Sequence, residues 1–124
     1  MNILFGEEQA KAIADKYPVL ELDLIQIGEK GPVVTAYCAV ENIPLEEVVN
    51  LVDTQAQHKT LIKSYRSQQW NKCLQLIEQL TGCWGGELDS FYATLKSRID
   101  QYVQQDPGPD WTGVVVKIIR PTNS

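Results

Sequence analysis

The sequence holds one histidine, one methionine and three cysteines in 124 residues. A zinc site needs several convergent nitrogen, sulfur or carboxylate ligands, and His58 has no cysteine or carboxylate at helical ligand spacing. No metal and no cofactor are therefore expected. Cys38, Cys73 and Cys83 are odd in number and contain no C-x-x-C pair, which argues against a disulfide framework or a redox motif. No apolar run approaches membrane-spanning length. The start, Met1 to Glu8, lacks the basic region and apolar stretch of a secretory leader. These absences together predict a cytoplasmic protein with reduced thiols. Basic residues are also scarce: 11 Lys and Arg stand against 16 Asp and Glu, for a net charge of −5. Nucleic-acid backbones and anionic membrane surfaces are bound through excess positive charge, so neither is expected as a partner.

What the sequence does hold is ordinary globular composition, 44% hydrophobic and 22% charged. At this length one domain over residues 1–124 is expected, with a core of its own. The clearest signal lies between Leu61 and Val103. Trp70, Cys73, Leu74, Ile77 and Leu80 recur in steps of three and four, which predicts a helix over 70–81. Gly82-Cys83-Trp84-Gly85-Gly86 breaks it, with Gly82 suited to a left-handed cap. Leu88, Phe91, Tyr92, Leu95, Ile99, Tyr102 and Val103 then fall within an arc of roughly 120° on a second helix. Asp106-Pro107-Gly108-Pro109 ends it. Each stripe needs a partner, and the short link favours an antiparallel pair.

Upstream, Glu7 to Tyr17 reads as a weak helix closed by Pro18. Val19 to Leu24 alternates strictly, and the alternation slips at Leu24-Ile25, where a bulge fits. Gly28 to Gly31 turns the chain into a second strand, Pro32 to Val40. Pro44 and Glu46-Glu47 open a helix whose stripe is Leu45, Val48, Val49 and Val52, with a break marked near Asp53-Thr54. His58, Leu61, Ile62 and Tyr65 continue an apolar side toward Arg66. Val114 to Ile119 is a short strand joining the first two, and its near-continuous apolar run predicts burial on both faces or an inner position in the sheet. The expected fold class is α+β: a small antiparallel sheet of about three strands, packed by a helical bundle.

Tyr65, Trp70, Cys73, Ile77 and Leu80 resemble the second half of a tetratricopeptide repeat. The longer run through Asp89-Ser90, Arg98, Tyr102, Pro107 and Asp110-Trp111-Thr112-Gly113-Val114 resembles the tail that follows some class III adenylate and guanylate cyclase domains. The D-W-x-G-V stretch is its most distinctive part. The whole chain also looks like small uncharacterised proteins of marine bacteriophages. The repeat-like resemblance covers about the second half of the chain, and no cyclase catalytic domain fits in the remainder. It implies a tetratricopeptide-like helical hairpin acting as an accessory module, without cyclase activity.

Catalytic groups are few. A nucleophilic cysteine needs a base, and Cys83 with His58 is the one pairing the composition allows. Gly82-x-x-Gly85-Gly86-Glu87 precedes a helix but lacks the lysine and hydroxyl of a phosphate-binding loop. Glu21 and Asp23 share the outward face of a strand, about 6.5–7 Å apart along it, and read as a solvated sheet face. Lys59, Lys63 and Arg66 form a basic ridge, with no acid between Asp53 and Glu78. The ridge either pairs with Glu46, Glu47 or another helix, or offers an edge to an acidic partner or a second copy. Trp84 and Trp111 sit in loops beside glycine, either plugging a core end or anchoring an interface. Two functions follow. The first is a noncatalytic protein-interaction or assembly module, contacting a protein partner or itself through Lys59, Lys63, Arg66, Trp84 and Trp111. The second is a small-ligand binder or an enzyme, with a pocket between sheet and helices lined by Glu21, Tyr37, Tyr65 and Tyr92.

Overall fold

The computed structural model describes residues 2–117, the side chain of Lys117 excepted. The chain runs β1 (Asn2–Phe5), α1 (Glu7–Ile13), β2 (Val19–Ile27), β3 (Val33–Ala39), α2 (Leu45–Val48), α3 (Leu51–Arg66), α4 (Trp70–Leu80), α5 (Asp89–Gln104) and β4 (Val114–Lys117). The fold is α+β, as expected. The sheet differs in detail: it has four strands in the order β1-β3-β2-β4 and is mixed. β1 was not foreseen. It pairs antiparallel with β3, bringing Asn2 opposite Ala39. β4 lies parallel to β2 at the sheet edge, so its apolar run does not mark an inner strand. The end of the expected strand, at Ile118-Ile119 before Pro121, lies outside the described residues.

The slip in β2 is a bulge. Glu21 pairs with Tyr37 and Leu24 with Thr35, so Leu22 and Asp23 together stand opposite Ala36. One extra residue reverses the alternation. Leu20 before the bulge, Leu22 within it and Ile25 after it all join the core. That core is one cluster between the sheet and helices α3, α4 and α5.

The helical hairpin forms where its spacing places it. Cys73, Ile77 and Leu80 of α4 are buried, as are Phe91, Tyr92, Leu95 and Ile99 of α5. Gly82 takes the left-handed φ of 92° expected after α4. Asp89 secures the turn by accepting the Gly82 N–H at 2.8 Å. Val103 departs from the expected stripe and is exposed, because the chain leaves the core after Tyr102. At that end Tyr65, Trp70, Tyr102 and Trp111 stack together with ring centroids 5.2–5.9 Å apart. Offset and edge-to-face aromatic pairs add stability beyond their buried area. This cluster ties α3, α4 and α5 to the approach of β4. Gly113, at φ 78°, makes the bend that lets Trp111 fold back.

The helix over 45–66 departs most from expectation. It breaks at Val49-Asn50 rather than near Asp53-Thr54. Its first stripe faces solvent: Leu45 is 84% exposed, Val48 48%, Val49 88% and Val52 78%. The second stripe, His58, Leu61, Ile62 and Tyr65, is buried.

Candidate functional site

The interior of the molecule is closed around its only histidine. β4 pairs with β2 only from Leu24 onward, leaving the earlier edge of β2 open. α3 covers it. His58 Nε2–H donates to the Glu21 carbonyl oxygen at 2.6 Å. Nδ1 must then accept, and the Tyr92 hydroxyl donates to it at 2.9 Å. The Tyr92 oxygen in turn accepts Trp84 Nε1–H at 3.0 Å. His58, Tyr92 and Trp84 are each at most 1% exposed. Every polar atom in this chain of bonds has a partner, which is the condition for burying such groups at low cost. Burial depresses the His58 pKa, with the Glu21 carbonyl and carboxylate opposing, so the ring is neutral. Both nitrogens are committed to structure.

The two carboxylates expected on a solvated sheet face are held by arginines. Arg66 Nη1 donates to Glu21 Oε1 at 2.9 Å from α3. Arg98 Nη1 donates to Asp23 Oδ1 at 3.0 Å from α5. The bulge is the reason for the second pair, since it turns Asp23 toward the helical layer. Glu21 and Asp23 therefore do not form a catalytic carboxylate pair.

None of the cysteines is activated. Burial raises the Cys38 pKa to about 12 and the Cys73 pKa to about 11. Cys83 is raised by burial, then by Glu47 and Asp89, and its thiol points at the Gln79 carbonyl. Low-pKa nucleophiles need the opposite surroundings. Among the described residues no three His, Cys, Asp or Glu side chains gather as a metal site would require.

The four residues expected to line a pocket divide. Glu21 and Tyr37 border a shallow cleft of about 260 Å³, together with Gln55, His58 and Lys59. Ligand pockets for drug-sized molecules usually begin near 300 Å³. Tyr65 and Tyr92 are core residues instead, 3% and 0% exposed. Burial pushes the Tyr65 hydroxyl up to about 12. Their hydroxyls find partners inside, which is why aromatic residues with polar ends read as pocket-lining while serving the core.

The expected contact residues also divide. Lys59 and Lys63 are exposed on α3. Arg66 is turned back to Glu21. Trp84 is sealed inside by its bond to Tyr92, which removes it from any surface. Trp111 is half-buried in the aromatic cluster and acts as a plug.

The surface that does stand out is the outward stripe of α2 and the first turn of α3. It is exposed because the opposite flank is tied down. Glu47 accepts the backbone N–H groups of Trp84 at 2.6 Å and Gly85 at 3.0 Å. Pro44 packs close behind Gly85, whose added Cβ would lie 3.4 Å from the proline ring. The inner side of α2 is thus a carboxylate bound to loop amides, and the apolar side is left outside. A signal for this was present in the sequence. Were residues 45–66 one unbroken helix, the stripe Leu45, Val48, Val49, Val52 and the stripe His58, Leu61, Ile62, Tyr65 would lie about 140° apart at 100° per residue. Without a break, both could not face one core. No helix among the described residues is long and apolar enough to cross a membrane. Compared with known protein families, curated proteins and solved structures, the chain matches none.

Proposed function

We propose that this chain is a noncatalytic protein-interaction or assembly module that docks its partner on the outward face of α2 and the start of α3. The observation that carries the reading is the exposure of four large apolar side chains within eight residues, Leu45, Val48 and Val49 at α2 and Val52 in the first turn of α3. Exposed apolar residues scattered singly are normal, but a contiguous group backed by a fixed polar flank is the usual form of a contact site. Lys59 and Lys63 extend the same side of α3 and supply a charged rim. The commitment of His58 to the core and the raised thiol pKa values support a noncatalytic role. Three free cysteines, two of them buried, are consistent with a cytoplasmic setting. The tetratricopeptide-like resemblance of the second half points the same way, with α4 and α5 as the rigid support rather than the contact surface.

The test is affinity capture with the wild-type protein and a Leu45→Ser/Val49→Ser/Val52→Ser variant, each as bait at matched concentration. A specific partner held by the wild type and lost by the variant is the expected result. A partner held equally by both would move the contact elsewhere.

A further inference from the structure

We infer that the partner docked on this face is a cationic amphipathic helix of another protein, its apolar stripe on Leu45, Val49 and Val52 and its lysines or arginines toward Glu46 and Asp53. The inference rests on the docking reading above and names the chemistry of the occupant. Its warrant is the sign of the charge around the stripe. From Glu41 to Asp53 the chain carries four acids and no base. The turn that grips α2, Gly82 to Asp89, carries two acids and no base. The two segments lie together, because Glu47 accepts the N–H groups of Trp84 and Gly85 and Pro44 backs onto Gly85. The Cys83 thiol in that turn is pushed up by burial, then by the carboxylates of Glu47 and Asp89, so both acids act on one point. Glu46 and Asp53 are exposed beside the stripe.

The first lysine or arginine along α3 is Lys59, about 10 Å beyond Val52. The patch itself is therefore apolar with an acidic border. A second copy offering the same patch would set carboxylates against carboxylates. Anionic lipid and nucleic acid are repelled in the same way. A cationic partner is attracted, and the net charge of −5 adds to the attraction at longer range. A helical surface offers no strand edge, so the partner does not dock by adding a β-strand. Side chains at steps of three and four pack against another helix with the same spacing. The stems of its lysines or arginines cover apolar surface while their charged heads reach the border.

Fluorescence anisotropy of a labelled peptide titrated with the full chain tests this. The probe is an amphipathic helix of about 14 residues with a leucine stripe and lysines elsewhere. A second probe keeps the stripe and carries glutamates instead. The lysine probe is expected to bind with a Kd on the order of tens of micromolar, and the glutamate probe at least roughly tenfold more weakly. Glu46→Lys/Asp53→Lys and Leu45→Ser/Val49→Ser/Val52→Ser each weaken the lysine probe by roughly tenfold. Glu8→Lys/Glu29→Lys makes the same change of net charge at exposed sites in α1 and the β2–β3 turn, and its effect stays below about twofold. Near-UV circular dichroism checks that each variant stays folded. A lysine probe that fails to bind, a glutamate probe that binds as well, or an equal loss from Glu8→Lys/Glu29→Lys overturns the cationic partner. Capture from lysate then tells the two readings apart. A partner lost by the triple-serine variant but held by Glu46→Lys/Asp53→Lys would sink the cationic chemistry alone. A partner held equally by the wild type and both variants would sink the docking reading as well.

Discussion

Helix α5 and the run from α2 into α3 both carry apolar side chains at helical spacing, yet one stripe is inside and the other outside. Leu95 and Ile99 are fully buried, while Val49 is 88% exposed. Spacing alone gives the same reading for both. What separates them is the opposite flank. That of α5 is Lys96, Ser97 and Asp100, groups that water serves well. That of α2 is Glu47, which has two backbone N–H groups waiting in the Trp84-Gly85 turn. A carboxylate taking two charge-assisted hydrogen bonds can outweigh the burial of a few half-turns of valine and leucine on so short a helix. Amphipathicity says that a helix has two sides; the partners available elsewhere in the fold decide which side is in.

The sharpest contrast is in packing. Leu95→Ala in α5 should cost about 2–5 kcal/mol, because it empties space in a closed core. Urea unfolding read by circular dichroism measures it. The next largest effect is expected at the buried hydrogen-bond chain. Tyr92→Phe keeps the ring and removes one oxygen, leaving His58 Nδ1 and Trp84 Nε1–H without their partner. Two orphaned buried groups should cost about 2–4 kcal/mol in the same assay.

Acid should weaken the same region. The folded His58 pKa lies below the ordinary 6.5, first because the ring is buried. Between the folded value and about 6.5 the unfolded chain therefore binds a proton that the folded chain does not. Stability from this group is complete above pH 6.5 and falls as the pH drops below it, by at most about 1.4 kcal/mol per pH unit. Unfolding midpoints from pH 7.5 to pH 5 should show this slope, and His58→Asn should flatten it.

The hairpin of α4 and α5 was legible because its signals are local. Two uninterrupted stripes are bounded by Gly82 to Gly86 and by Asp106 to Pro109, and each boundary residue acts on its own neighbours. The bulge in β2 was legible for the same reason, as a change of parity within a few residues. β1 was not, since four residues from Asn2 to Phe5 are too few to show a period and their partner lies more than thirty residues on. The pairing of β4 with β2 is likewise tertiary, as are the ion pairs of Glu21 with Arg66 and Asp23 with Arg98, 45 and 75 positions apart. Trp84 was misplaced because a tryptophan in a glycine loop looks the same whether or not a tyrosine hydroxyl waits beneath it. The outward stripe was hidden because a break was expected near Asp53-Thr54, after Val52, whereas it falls at Val49-Asn50 and the partners that hold Glu47 inward lie 37 and 38 residues on.

The most direct test is the unfolding free energy of the Leu45→Ser/Val49→Ser/Val52→Ser variant, measured in urea at the lowest workable protein concentration, where association contributes least. If this face is outside the fold of the single chain, the three changes together shift stability by no more than about 1.5 kcal/mol. A loss of about 4 kcal/mol or more would mean that these side chains belong to the core, and the contact surface proposed on them would not exist.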